Sequence, residues 1–166
     1  MTGRAYVPLD RAGLARLHAE GELGPAPLEA FAVTPALRRW YGEPEAGEEE
    51  LEAVATSLAG QASLALLTCD EEVRVVVAVD TTWTPDEQTQ PGQVRLDASV
   101  PVADVAAVLA DTAEAAGDVR AVVQLLAAGD DGLDRALDQV ERYPLAWFSV
   151  GEVPVLLEGL GGRGSR

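Results

Sequence analysis

The sequence predicts an α/β fold, a mixed sheet of five to six strands flanked by helices in a single domain. Three observations carry that reading. Short β-branched runs, the longest being Val73-Arg-Val-Val-Val-Ala-Val79, alternate with segments whose apolar residues recur at i, i+3, i+4 and i+7. Gly and Pro punctuate the boundaries between them. At 166 residues and 48% hydrophobic, the chain can bury one sizeable core. Residues 1–160 are read as that domain and 161–166 as a flexible C-terminal tail.

The stretch Phe31 to Leu67 organises the chain. Phe31-Ala-Val-Thr34 has the content of a short buried strand, and Thr34-Pro35 ends it with an N-cap and the residue favoured at the first helical position. Ala36 to Tyr41 make a turn or two of helix that Gly42 stops. The acidic loop Glu43 to Glu50 leads into a long helix with Leu51, Val54, Ala55, Leu58 and Ala62 on one face. Its C-terminal half is apolar most of the way round, which predicts cover on several sides. Before this stretch, Ala5 to Leu9 read as a first strand. Asp10 then caps a helix carrying Leu14 and Leu17 that Gly21 closes. Gly24-Pro25-Ala26-Pro27 is a rigid connection.

After the long helix, Val73 to Val79 reads as a strand covered on both faces, hence in the middle of the sheet. Asp80 to Gly92 is a polar loop, and Trp83 within it either folds back on the domain or is offered to a partner. Val94, Leu96 and Ala98 alternate with polar residues in a half-exposed strand ended by Pro101. Val105 to Ala110 is read as a strand, although its alanines also suit a helix. Asp111-Thr-Ala-Glu114 resembles a capping box for a helix with Val119, Val122, Val123 and Leu126, stopped by Gly129. Asp130 or Asp131 caps the next helix, which carries Leu133, Ala136, Leu137 and Val140. Leu145 to Val150 is a last strand with its aromatics on opposite faces, and Val153 to Leu160 is a closing helix. Helices between the first three strands predict that they run parallel through right-handed crossovers, while the middle ones pair antiparallel.

Composition narrows the function classes. The formal net charge is −16, and residues 1–83 and 84–166 each carry six arginines and fourteen acidic residues. The charge is a general acidic surface, which disfavours direct nucleic-acid binding because that needs a positive footprint. It suits solubility or a basic partner, and mimicry of nucleic acid toward a basic protein is a further possibility. Lys, Asn and Ile are absent, as a high-GC coding bias explains. No apolar run approaches a membrane span and Met1-Thr-Gly-Arg4 has no signal-peptide character, so a cytoplasmic location is expected. The single cysteine, Cys69, fits a reducing compartment and reads as a small buried hydrophobe at a helix end. His18, the one histidine, sits at the edge of its helix's apolar face with no evident partner.

The chain resembles a family of small acidic actinobacterial proteins known as a domain of unknown function. The resemblance rests on Tyr6-Val-Pro8, on Gly21-Glu-Leu-Gly24-Pro25 with Pro27-Leu28, and chiefly on Ala30-Phe-Ala-Val-Thr-Pro-Ala-Leu-Arg38. Trp40-Tyr41, Glu48-Glu-Glu-Leu-Glu52, Trp147-Phe148 and Val153-Pro154 extend it to about Leu157. Arg39 departs from the family pattern, which favours an acidic residue there. The resemblance implies no activity, cofactor or catalytic residue.

Phosphate-loop, zinc-cysteine, HExxH and GxSxG signatures are missing, so no catalytic residue, metal ligand or cofactor is assigned. Two candidate sites remain. Asp10, Thr34, Arg38 and Asp80 fall at the carboxyl ends of the strands expected to be parallel, where α/β sheets bind ligands, and could form a pocket for an anionic metabolite. Arg38, Arg39, Trp40 and Tyr41 have the residue types of an interface hot spot, with Trp83 as a further partner-binding candidate, although core packing of Trp40 beside a surface Arg pair is the favoured reading of that turn. The Glu43 to Glu52 cluster reads as a solvated helix start, where acidic groups are favoured by the helix dipole. The leading expectation is a non-enzymatic binding or regulatory module with a protein partner. The alternative is a small enzyme or receptor using the strand-end pocket.

Overall fold

The computed structural model describes residues 1–88, 90–129 and 131–161. The chain opens with β1 (Thr2–Leu9), α1 (Arg11–Glu20) and the two-residue strand β2 (Glu22–Leu23). It continues through β3 (Leu28–Ala32), α2 (Pro35–Tyr41) and α3 (Glu48–Leu66) to β4 (Val75–Thr82). The short strands β5 (Thr84–Pro85), β6 (Gln93–Leu96) and β7 (Val100–Pro101) follow. Then come β8 (Val105–Ala110), α4 (Ala116–Ala128), α5 (Leu133–Glu141), β9 (Ala146–Phe148) and α6 (Val153–Gly161). The ambiguous segment Val105 to Ala110 is thus a strand.

Capping chemistry sets the early helix boundaries. The Gly13 N–H donates to Asp10 Oδ1 at 2.7 Å, and Gly21 closes α1 with φ +70°. The Leu37 N–H donates to Thr34 Oγ1 at 3.0 Å, and Gly42 closes α2 with φ +76°. Both glycines occupy the left-handed region that a Cβ disfavours. Two later caps differ from expectation. The Asp111 carboxylate is bound to Arg74 instead of capping, and α4 begins through a 3-10 turn at Ala113–Ala115. Gly132, without a side-chain cap, precedes α5 in place of Asp131, and Asp130 lies outside the described residues.

Seven strands form one sheet in the order β5-β6-β3-β1-β4-β8-β9, with every neighbouring pair antiparallel, and β2 pairs with β7 in a separate ribbon. The expected parallel pairing is therefore corrected. Because β1 is antiparallel to both β3 and β4, those two run in the same direction with β1 between them. The passage through α2 and α3 is a crossover between parallel strands, as helical connections favour, but the strands are not adjacent. The cause lies in Gly21 to Pro27. After α1 this segment pairs with β7 and enters β3 at Leu28, at the end of the sheet where β1 finished. The extra strand arises because Thr84–Pro85, inside the polar loop, pairs with β6.

Helices cover both faces. On one, Leu14 and Leu17 of α1 and Val153 of α6 pack against Val7, Val75 and Val77. On the other, Leu37 of α2 and Ala55 and Ala59 of α3 pack against Phe31, Val76 and Ala78. Alternate residues of β4 thus enter opposite cores, which is why its sequence is continuously apolar. The buried line of α3 runs through Ala55, Ala59 and Ser63, with Val54 and Leu58 only half-buried. The small side chains let the helix approach the sheet closely. There the Ser63 hydroxyl donates to the Leu9 carbonyl at 2.7 Å and accepts the Val75 N–H at 3.0 Å. Ala65 and Leu66 are exposed, correcting the expected cover on several sides, while Leu64 and Leu67 enter a third cluster with α4 and α5. Cys69 is exposed, not buried, because the chain has left the helix at Leu67 for a surface turn. Gly161 ends α6, and residues 162–166 of the expected tail lie outside the described residues. No helix among the described residues is long and apolar enough to cross a membrane.

Candidate functional site

The residues expected to form a strand-end pocket do not share one end of the sheet. Leu9 is opposite Val75 and Arg4 is opposite Asp80, so Asp10 and Asp80 are separated along the strands by about 20 Å at 3.3 Å per residue. Thr34 lies near the Asp80 end, across β1, but is fully buried. Its hydroxyl donates to Glu87 at 2.9 Å, and Glu87 also accepts the Gly92 N–H at 3.0 Å. Asp80 is engaged by Arg4 through bonds of 2.7 and 3.1 Å, and this hydrogen bonding holds its carboxyl below the ordinary carboxylate range. The antiparallel direction of β1 is the physical reason: it sends the carboxyl end of β1 away from those of β3 and β4.

The C-terminal end of α2 has a different character. Trp40 is 61% exposed, so core packing is not its role. Its neighbours are fixed by the first turn of α3. Arg38 forms an ion pair with Glu48, and the Tyr41 hydroxyl donates to Glu50 at 2.5 Å. That donation keeps the Tyr41 hydroxyl protonated above its ordinary range. Arg39 and Trp40 project from the same turn into solvent. A shallow cavity of about 250 Å³ lies beside them, lined by Arg38, Arg39, Gly42, Glu43 and Leu51. Part of the acidic run thus braces the turn as well as starting α3.

Trp83 belongs elsewhere. It is 5% exposed in the core formed with α1 and α6, and its backbone exchanges hydrogen bonds of 2.7 and 2.9 Å with Met1. It is therefore removed from the partner-binding candidates: its indole is buried in the core. Trp147 on the edge strand β9 is 66% exposed and lies opposite Leu109, while Phe148 turns to the other face. His18 is exposed on α1. Among the described residues, no group of three or more His, Cys, Asp or Glu side chains is placed to hold a metal ion.

One concavity was not legible in the sequence. A cleft of about 550 Å³ lies between the start of α1, the loop preceding β4 and α6, with Val73, Leu157 and Leu160 in its lining. Of the expected ligand residues, it includes Asp10 alone. Its walls come from three segments separated along the chain, and no local motif marks them.

No curated protein and no solved structure matches the chain. The profile of a family of unknown function, DUF6912, matches residues 3–157, and the chain belongs to that family.

Proposed function

We propose that this member of DUF6912 is a non-enzymatic binding or regulatory module of the cytoplasm, acting through protein–protein contacts at the end of α2. The observation that carries this reading is Trp40. A large indole stands mostly in water beside Arg39, on a short helix that ion pairing and a hydrogen bond brace against α3. Trp and Arg are the residue types that concentrate binding energy at protein interfaces. A braced turn also loses little conformational freedom when a partner covers it.

The test compares wild-type protein with Trp40→Ala, Arg39→Ala and, as a control, Trp147→Ala. Each is immobilised and exposed to a nuclease-treated native lysate, and retained proteins are quantified by mass. The expected result is one partner held in stoichiometric amount by wild type and Trp147→Ala and lost from Trp40→Ala. Hot-spot truncation costs about 2 kcal/mol or more, roughly 30-fold in affinity. Thermal unfolding of Trp40→Ala should stay close to wild type, since exposed substitutions change stability by about 0.5 kcal/mol or less. Equal capture by Trp40→Ala would falsify the site assignment.

A further inference from the structure

The cleft between α1 and α6 is separate from the α2 surface and has the makings of a small-molecule site. Its volume of about 550 Å³ lies within the span of roughly 300–1,000 Å³ usual for such sites. Val73, Leu157 and Leu160 supply an apolar lining, with Ala12 and Ala15 on the α1 wall. The charged lining is predominantly acidic: Asp10, Asp70, Glu71 and Glu72 outnumber Arg11.

Hydrogen bonding decides which charge this cleft accepts. The positive end of α1 is already met by carboxylates, because the Gly13 N–H donates to Asp10 and the Arg11 N–H donates to Glu71 at 3.2 Å. The other Glu71 oxygen accepts the Thr68 N–H at 2.7 Å, so one side chain ties the loop to α1 and holds the two walls in place. An anion therefore finds these two backbone donors occupied and, apart from the single Arg11 guanidinium, meets carboxylates. Glu72 is paired with Arg120. Asp70 is exposed and accepts only the weak S–H of Cys69 at 4.0 Å among the described residues, which leaves its carboxylate open to a cation.

From the apolar lining and this distribution of carboxylates, we infer that the cleft binds a small amphipathic cation. The fitting class is a primary or secondary amine on a short hydrocarbon body. Its ammonium sits at Asp70 and its hydrocarbon covers Val73, Ala15 and Leu157. Charge complementarity selects the head group, and burial of apolar area supplies the attraction.

The experiment titrates ¹⁵N-labelled full-length protein with n-hexylamine, hexanoate and 1-hexanol at neutral pH and matched ionic strength, following backbone amide shifts. Hexylammonium should give saturable shifts at millimolar concentration confined to residues 11–15, 69–73 and 157–160. Hexanol should bind roughly tenfold more weakly for want of the ion pair, and hexanoate should not saturate. Ala15→Trp, at an exposed α1 position inside the cleft, should abolish the shifts, with Ala12→Trp as a second occluding variant. Asp70→Asn should weaken hexylammonium toward the hexanol value. Hexanoate or hexanol binding as well as hexylammonium overturns the cation assignment. Shifts that survive both occluding variants, or no saturable shift at all, overturn the site.

Discussion

Removing either member of the buried Arg74–Asp111 pair should cost the fold about 3–5 kcal/mol. The side chains are 5% and 0% exposed and meet through bonds of 2.9 Å from Nε and 2.7 Å from Nη2. Asp111 also accepts the Arg74 N–H at 2.9 Å, and the guanidinium donates to the carbonyls of Tyr143 at 3.0 Å and Val140 at 3.4 Å. The pair thus joins the start of β4, the end of β8 and the corner between α5 and β9. Asp111→Leu leaves a buried cation without its counter-charge, and Arg74→Met leaves a buried carboxylate with one remaining backbone donor. The double variant carries neither charge. It should lose less than the sum of the singles, by about 1–3 kcal/mol, because the second substitution relieves the charge the first one orphaned. Against a total stability of about 5–15 kcal/mol, each single should give up from about a fifth to all of it. Urea titration followed by tryptophan fluorescence and far-ultraviolet circular dichroism measures all four proteins. A single-variant loss below about 1 kcal/mol, or strict additivity, would refute the reasoning.

Two further outcomes follow from side-chain chemistry. Thr34→Ala removes the cap of α2 and the donor to Glu87, and should cost about 1–2 kcal/mol in urea unfolding, with Thr34→Ser close to wild type. Arg4→Gln should raise the Asp80 carboxyl toward its ordinary value of 3.8, read by carboxyl-carbon NMR during acid titration. Because Asp80 is lowered in the folded state, its contribution to stability is present above 3.8 and is lost as pH falls through the depressed folded value. Stability should therefore fall less steeply in that acid range for Arg4→Gln, and an unmoved Asp80 titration would show that Arg4 does not set it.

The proposed interaction surface was partly legible. Arg38 to Tyr41 were identifiable by residue type, but their helical spacing left open whether Trp40 faced the core. The answer depended on Leu37, which points into the sheet, and on Glu48 and Glu50 arriving from the next helix. The strand-end pocket failed for a related reason: local sequence set the strands, while the path of Gly21 to Pro27 set the direction in which β3 entered the sheet.

By itself the sequence determined what depends on neighbours along the chain. The caps at Asp10 and Thr34, the stops at Gly21 and Gly42, and the two-faced burial of β4 follow from bonds and periodicities a few residues long. Tertiary structure alone decided what depends on distant partners. It buried Trp83 in the core, used Asp111 to hold Arg74 instead of a helix end, set β1 antiparallel between β3 and β4, and assembled the α1–α6 cleft. Local preferences involve fractions of a kcal/mol per residue, too little to specify which remote surfaces meet. That choice belongs to burial and charge pairing across the whole domain.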